Sequence, residues 1–129
     1  MGPLFLPNWA DLRYASAPEP VQRALHRSML DLAGVAVAGA DTQLSKTIRD
    51  HAAAHFGGTG SSILCDGRQV SPVGAALAGG MTIDAMDAHD GFKPVKGHIG
   101  CGVFPAALAL AEAEGLELEA FFDFGSLGI

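Results

Sequence analysis

The sequence predicts a mainly α-helical bundle domain carrying one small β-hairpin. Three observations lead there. Apolar residues recur at helical spacing in several separate segments; proline, serine or aspartate stands near the head of most of them, with glycine at the foot; and one stretch, SSILCDGRQVS, changes to short β-rich runs about an Asp-Gly pair. The 129 residues suit one domain with a single core.

In chain order, the first helix starts near Glu19, with Pro20 in the first turn, where its missing N–H has no partner to lose. Val21, Leu25, Leu32 and Val35 keep helical spacing, and from Met29 to Ala40 only Asp31 interrupts the apolar surface, so that half is expected to be buried all round. Asp41 is the expected cap of a second helix, Thr42 to His55, identified by Leu44, Ile48 and the alanines at 52 to 54 and ended by Gly57 and Gly58. The hairpin follows: Ser62 to Cys65, the turn pair Asp66-Gly67, and a second run to Val70. Ser71-Pro72 opens a third helix through VGAALAGGMTIDAMDA, and Val103-Phe104-Pro105 opens a fourth that Gly115 stops. Leu116 to Phe122 begins one more.

Composition narrows the function. Hydrophobic residues make up 49% and charged residues 17%, and the formal net charge is −6. Eight Lys and Arg spread over such a chain supply no basic face for nucleic acid. The longest apolar run, Ala33 to Ala40, falls short of the roughly 20 residues a membrane span needs. MGPLFLPNWADL has no basic start and carries two prolines, so it does not read as a signal peptide. Cys65 and Cys101 form no disulfide framework and are expected to be reduced thiols of a cytoplasmic protein.

Ionisable groups concentrate in AMDAHDGFKPVKGHIGCG, residues 85–102. Val73, Leu77, Gly80, Asp84 and Asp87 follow a 4-3-4-3 spacing, which carries an apolar helical stripe into two carboxylates. A carboxylate on such a stripe is costly unless paired or facing a polar cavity. Asp87 therefore either points into a site or caps a neighbouring element; for Asp84 the structural role is favoured. His89 and Asp90 fall on the loop beyond the helix, Lys93 and Lys96 add cations to it, and GHIGCG places glycines around His98 just before the next helix. Free N–H groups and the positive end of a helix dipole suit an anion. Imidazole carries protons near neutrality, and lysine stabilises the negative charge that grows when carbon beside a carboxylate loses a proton. A divalent-metal site from Asp87, His89, Asp90 and His98 is the less favoured alternative, because no diagnostic ligand spacing supports it. His51 and His55, one helical turn apart, read as surface, and Cys101 as a small residue packed at a crowded turn rather than a nucleophile.

Three stretches, LDLAGVAVAGA, AALAGGMTIDAMDAHDG and GHIGCGVFPAALALAEAEG, together resemble the MmgE/PrpD family, which includes 2-methylcitrate dehydratase, cis-aconitate decarboxylase and iminodisuccinate epimerase. The resemblance runs to about Ala120 and covers the N-terminal part of a protein several times longer. It implies a partial helical domain over residues 1–129 without the lid domain that closes over the substrate, and hence little or no turnover by this chain alone. It implies a di- or tricarboxylate substrate, proton transfer at carbon next to a carboxylate, and no metal or organic cofactor. Asp87 matches the first aspartate of the family's segment, Asp90 the last and His98 the loop histidine. Gly91 stands where threonine is usual, His89 replaces an aspartate, and Ile99-Gly100 replaces Pro-Gly, so the version here looks like the epimerase-type branch. The implied roles are His98 as acid/base or carboxylate ligand, Asp87 orienting it or the substrate, and His89, Lys93 and Lys96 around the anion. A rival reading is a non-catalytic helical module that forms a homodimer, because Phe121, Phe122 and Phe124 have no evident core to enter.

Overall fold

The computed structural model describes residues 13–88, 91, 93, 94, 96–117 and 121–123. It is mainly helical, with α1 (Glu19–Gly39), α2 (Gln43–His55), α3 (Pro72–Asp84) and α4 (Gly100–Ala113) around one antiparallel pair, β1 (Ser61–Ser62) and β2 (Gln69–Val70). A 3-10 turn, Tyr14–Ser16, precedes α1. In the pair Ser61 faces Val70 and Ser62 faces Gln69, so β1 begins one residue before the expected run, while β2 ends at Val70 as expected. The intervening turn is held by the Ile63 carbonyl, which accepts from the N–H groups of Asp66 and Gly67.

Caps explain where the helices begin. Pro20 sits in the first turn of α1, and the Pro18 carbonyl accepts from Val21 at 2.8 Å. Thr42, not Asp41, caps α2: its hydroxyl donates to the Gly39 carbonyl at 2.7 Å and accepts from the Ser45 N–H at 3.1 Å. A hydroxyl can join the end of one helix to the start of the next because it both donates and accepts; an ionised carboxylate only accepts. Ser71 caps α3 by accepting from Gly74. The expected start of α4 at Val103 is one turn late. The helix begins at Gly100 and holds Pro105 in its interior.

That interior proline has a packing reason. A Cβ on Gly79 would stand 2.7 Å from Pro105 Cβ, and one on Gly80 would stand 3.0 Å from the Cys101 carbonyl. The bare backbone of α3 thus accepts both the proline ring and the carbonyl to which a proline cannot donate. α3 is the central helix and touches the other three. Leu32, Ala36, Ile83, Phe104, Ala107 and Phe121 belong to one core cluster; Ala52, Ile63, Val70, Ala75, Ala78 and Ala109 form another around the hairpin.

Four expectations are corrected. Leu30 and Val37 are 76% and 68% exposed, so the second half of α1 buries only one face, through Leu32, Ala36 and Gly39. Leu44 is exposed, and α2 packs through Ser45, Arg49 and Ala52, because those polar side chains find internal partners. The stripe through Val73 and Leu77 faces outward; α3 buries Gly74, Ala75, Ala78, Gly79, Thr82 and Ile83 instead. On a helix apolar nearly all round, periodicity does not choose the face, and the small residues win because they allow the closest approach. Lastly, Phe121 does enter the core, edge-on to Phe104 with ring centroids 6.0 Å apart, while Phe122 stacks on Tyr14 at 4.8 Å. Phe124 lies outside the described residues. Among the described residues no helix is long and apolar enough to cross a membrane.

Candidate functional site

The loop between α3 and α4 holds the candidate site, and α3 ends earlier than its sequence suggests. Asp84 is the last helical residue and is exposed; Asp87 adopts φ 48° and donates its N–H to the Asp84 carbonyl at 2.9 Å. Aspartate tolerates this left-handed conformation better than most side chains. Asp87 therefore ends the helix by turning the chain, and its place on a continued stripe is lost. Lys96 has a second left-handed backbone, φ 51°.

Gly91, Lys93, Lys96, Gly97 and His98 line one open concavity of about 380 Å³. That volume falls within the range of about 300–1,000 Å³ common for small-molecule pockets. The structure thus brings together Lys93, Lys96 and His98 of the sequence-derived candidates. Asp87 is exposed beside α3 and is not among the described residues that line the concavity. His89 and Asp90 lie outside the described residues. Immediately after His98 the chain enters α4, and the Cys101 thiol donates to the His98 carbonyl at 3.3 Å. The loop histidine is thereby tied to a helix N-terminus, whose dipole favours negative charge nearby. Cys101 itself is half-buried against the core, the packing role expected of it. Two lysines and an imidazole at one open hollow can hold a carboxylate and exchange a proton beside it.

A second polar cluster escaped the sequence reading. Arg49 is buried and donates to the carbonyls of Ser45, Cys65 and Ala40, at 3.2, 3.1 and 2.5 Å. Arg68 hydrogen-bonds Asp66 through Nε at 2.6 Å and Asp50 through a terminal nitrogen at 2.9 Å. The Arg68 hydrogen bonds hold the Asp66 carboxyl below its ordinary value, and those carboxylates raise Arg68 in turn. Burial pushes the Cys65 thiol up, against the opposing charge of Arg49. These groups saturate one another and the backbone, so the cluster fastens the hairpin turn to α2. An arginine inside an amphipathic helix gives no spacing signal for such a role. His51 and His55 are exposed, with ring centroids 4.6 Å apart. Among the described residues no group of three or more His, Cys, Asp and Glu could hold a metal ion.

Compared with known protein families, the chain matches the MmgE/PrpD N-terminal domain over residues 8–128. No curated protein and no solved structure matches it significantly.

Proposed function

Because the chain belongs to the MmgE/PrpD family, we propose that it forms the substrate-binding part of an enzyme that moves a proton at carbon next to a carboxylate of a di- or tricarboxylic acid. The observation that carries this reading is the shared concavity of Lys93, Lys96 and His98. Losing a proton from such a carbon drives electron density onto the adjacent carboxylate. The two ammonium groups stabilise that charge where it accumulates. His98 either takes the proton as neutral imidazole and returns it as imidazolium, or holds the carboxylate while another group does so. Proton return to the opposite face gives epimerisation; loss of a hydroxyl from the neighbouring carbon gives dehydration. His89, Gly91 and Ile99, where the family's usual residues differ, favour the epimerase-type outcome. The family resemblance adds Asp87, His89 and Asp90 as further candidate substrate groups, and no cofactor enters.

Isothermal titration with citrate and succinate tests the reading. Binding is expected, weakening as salt rises, falling about tenfold in Lys93→Gln and in Lys96→Gln, and lost in His98→Ala. Absence of binding by the unaltered chain defeats it. His98→Gln separates the two histidine roles, since glutamine still hydrogen-bonds a carboxylate but carries no proton. Exchange of the α-hydrogen in heavy water is expected to be negligible for this chain alone.

One observation favours the rival reading of a self-associating module, although its original basis in Phe121 is gone. Arg27, Leu30, Asp31, Gly34, Val35 and Ala38 line an open groove of about 440 Å³ on the outer face of α1. A dimer in sedimentation that Leu30→Asp dissociates, together with no acid binding, would select the module.

A further inference from the structure

Two imidazoles stand side by side on α2. His51 and His55 are one helical turn apart and both exposed, and their ring centroids are 4.6 Å apart. Among the described residues neither ring has a hydrogen-bond or ion-pair partner, so their nitrogens are available to a ligand. His51 also rests edge-on against Phe56, with 5.9 Å between centroids. Phe56 is packed so tightly on α3 that a Cβ on Gly74 would collide with it, which gives the pair one firm wall. α2 ends at His55, and the carbonyls of a last helical turn favour positive charge beside them.

We infer that His51 and His55 together chelate one divalent cation of the Ni(II) or Cu(II) class. A histidine nitrogen lies about 2.0–2.1 Å from its metal, which sets each ring centroid about 3.2 Å from it. Two centroids 4.6 Å apart then subtend an angle of about 90° at the metal. That is the angle between neighbouring positions in tetragonal coordination, which suits Ni(II) and Cu(II), rather than the wider tetrahedral angle of zinc. A pair of neutral nitrogen donors does not suit Mg(II) or Ca(II), which take oxygen. Among the described residues no third His, Cys, Asp or Glu joins the pair, so water fills the other positions. Because the two rings meet only when α2 is helical, a metal held by both ties down the last turn of that helix. The site is independent of the anion-site reading and stands or falls alone.

The test titrates the untagged full chain with Ni(II), which the free thiols of Cys65 and Cys101 do not reduce, and with Mg(II) as a control. One Ni(II) per chain is expected, with no response to Mg(II). His51→Ala and His55→Ala are each expected to weaken Ni(II) about a hundredfold, because either change removes the chelate. Ni(II) should also raise the midpoint of thermal unfolding of the parent chain and leave that of both variants unmoved. Both positions are exposed, so the metal-free variants should unfold as the parent does, which marks them as folded. Ni(II) binding retained within about threefold in either variant, or a parent midpoint that Ni(II) does not raise, overturns the site. Binding that vanishes in His98→Ala and persists in His51→Ala assigns the metal to the loop instead and overturns it equally.

Discussion

The seam between α3 and α4 and the loop that joins the same two helices both rely on glycine, for different reasons. In the seam, Gly79 and Gly80 allow the backbone of α3 to lie against Pro105 and the Cys101 carbonyl. On another side of α3, Gly39 of α1 meets the Thr82 carbonyl still more closely. In the loop, a Cβ on Gly91 would stand at ordinary contact distance from the His98 side chain rather than against backbone. The seam is dense and its tolerances are set by backbone; the loop is exposed and cationic, with Lys93 and Lys96 at the surface. Substitution in the first should therefore cost stability, and in the second should change what is bound.

The sharpest break of that contrast is Gly39→Ala. Its new methyl would occupy a point 2.1 Å from the Thr82 carbonyl oxygen, so α1 and α3 must separate rather than repack. Denaturant unfolding should show a loss of about 3 kcal/mol, the upper end of ordinary overpacking. A loss below about 0.5 kcal/mol would mean that the two helices slide apart freely and that the seam is not rigid.

Next is the polar contact inside the same layer. Ser45 Oγ and Thr82 Oγ1 are both fully buried and hydrogen-bonded at 2.7 Å. Thr82→Val keeps the shape and strands the serine hydroxyl, which should cost about 1–3 kcal/mol. Ser45→Ala combined with Thr82→Val should lose less than the sum of the single changes, because neither partner is then left unpaired. Strict additivity would show that the hydroxyls do not depend on one another.

How much of this was legible follows from the same contrast. Helix existence and the Ser71 cap were readable, since proline, serine and glycine act locally on the backbone. The buried face of α3 was not. Val73 and Leu77 are more apolar than Gly74 and Gly79, yet the glycines are buried, because close approach of backbones outweighs side-chain hydrophobicity when every face is apolar. The fate of the tail was equally hidden: Phe121 reaches Phe104 and Phe122 reaches Tyr14, contacts that depend on elements remote in sequence. At the site, the density of charge in residues 85–102 pointed to the loop. It did not reveal that Asp87 turns the chain in a left-handed conformation and leaves the helical stripe, nor that Gly91 lies against the His98 ring.

A smaller effect probes the hairpin clasp. Asp66 is held below its ordinary carboxylate value of 3.8 by its hydrogen bonds from Arg68. A depressed folded-state value means that the contribution is complete above the unfolded value and disappears as pH falls through the folded one. Asp66→Asn should therefore be less stable than the parent chain at pH 7 by no more than about 1 kcal/mol, since the ion pair lies at the surface. The gap should close below pH 3.8. A gap that persists unchanged into acid would assign the stabilisation to geometry rather than charge.

The smallest stability effect is expected where the binding effect is largest. His98 is exposed, and its backbone carbonyl receives the Cys101 thiol. Truncating it to alanine removes none of the seam's contacts and leaves the carbonyl in place. His98→Ala should shift unfolding by about 0.5 kcal/mol or less, the range of surface substitutions away from special features, while abolishing acid binding. Loss of binding with intact unfolding would separate recognition from folding at the level of one side chain. A destabilisation comparable to that of Gly39→Ala would instead make the loop part of the packed body, and the distinction between seam and loop would collapse.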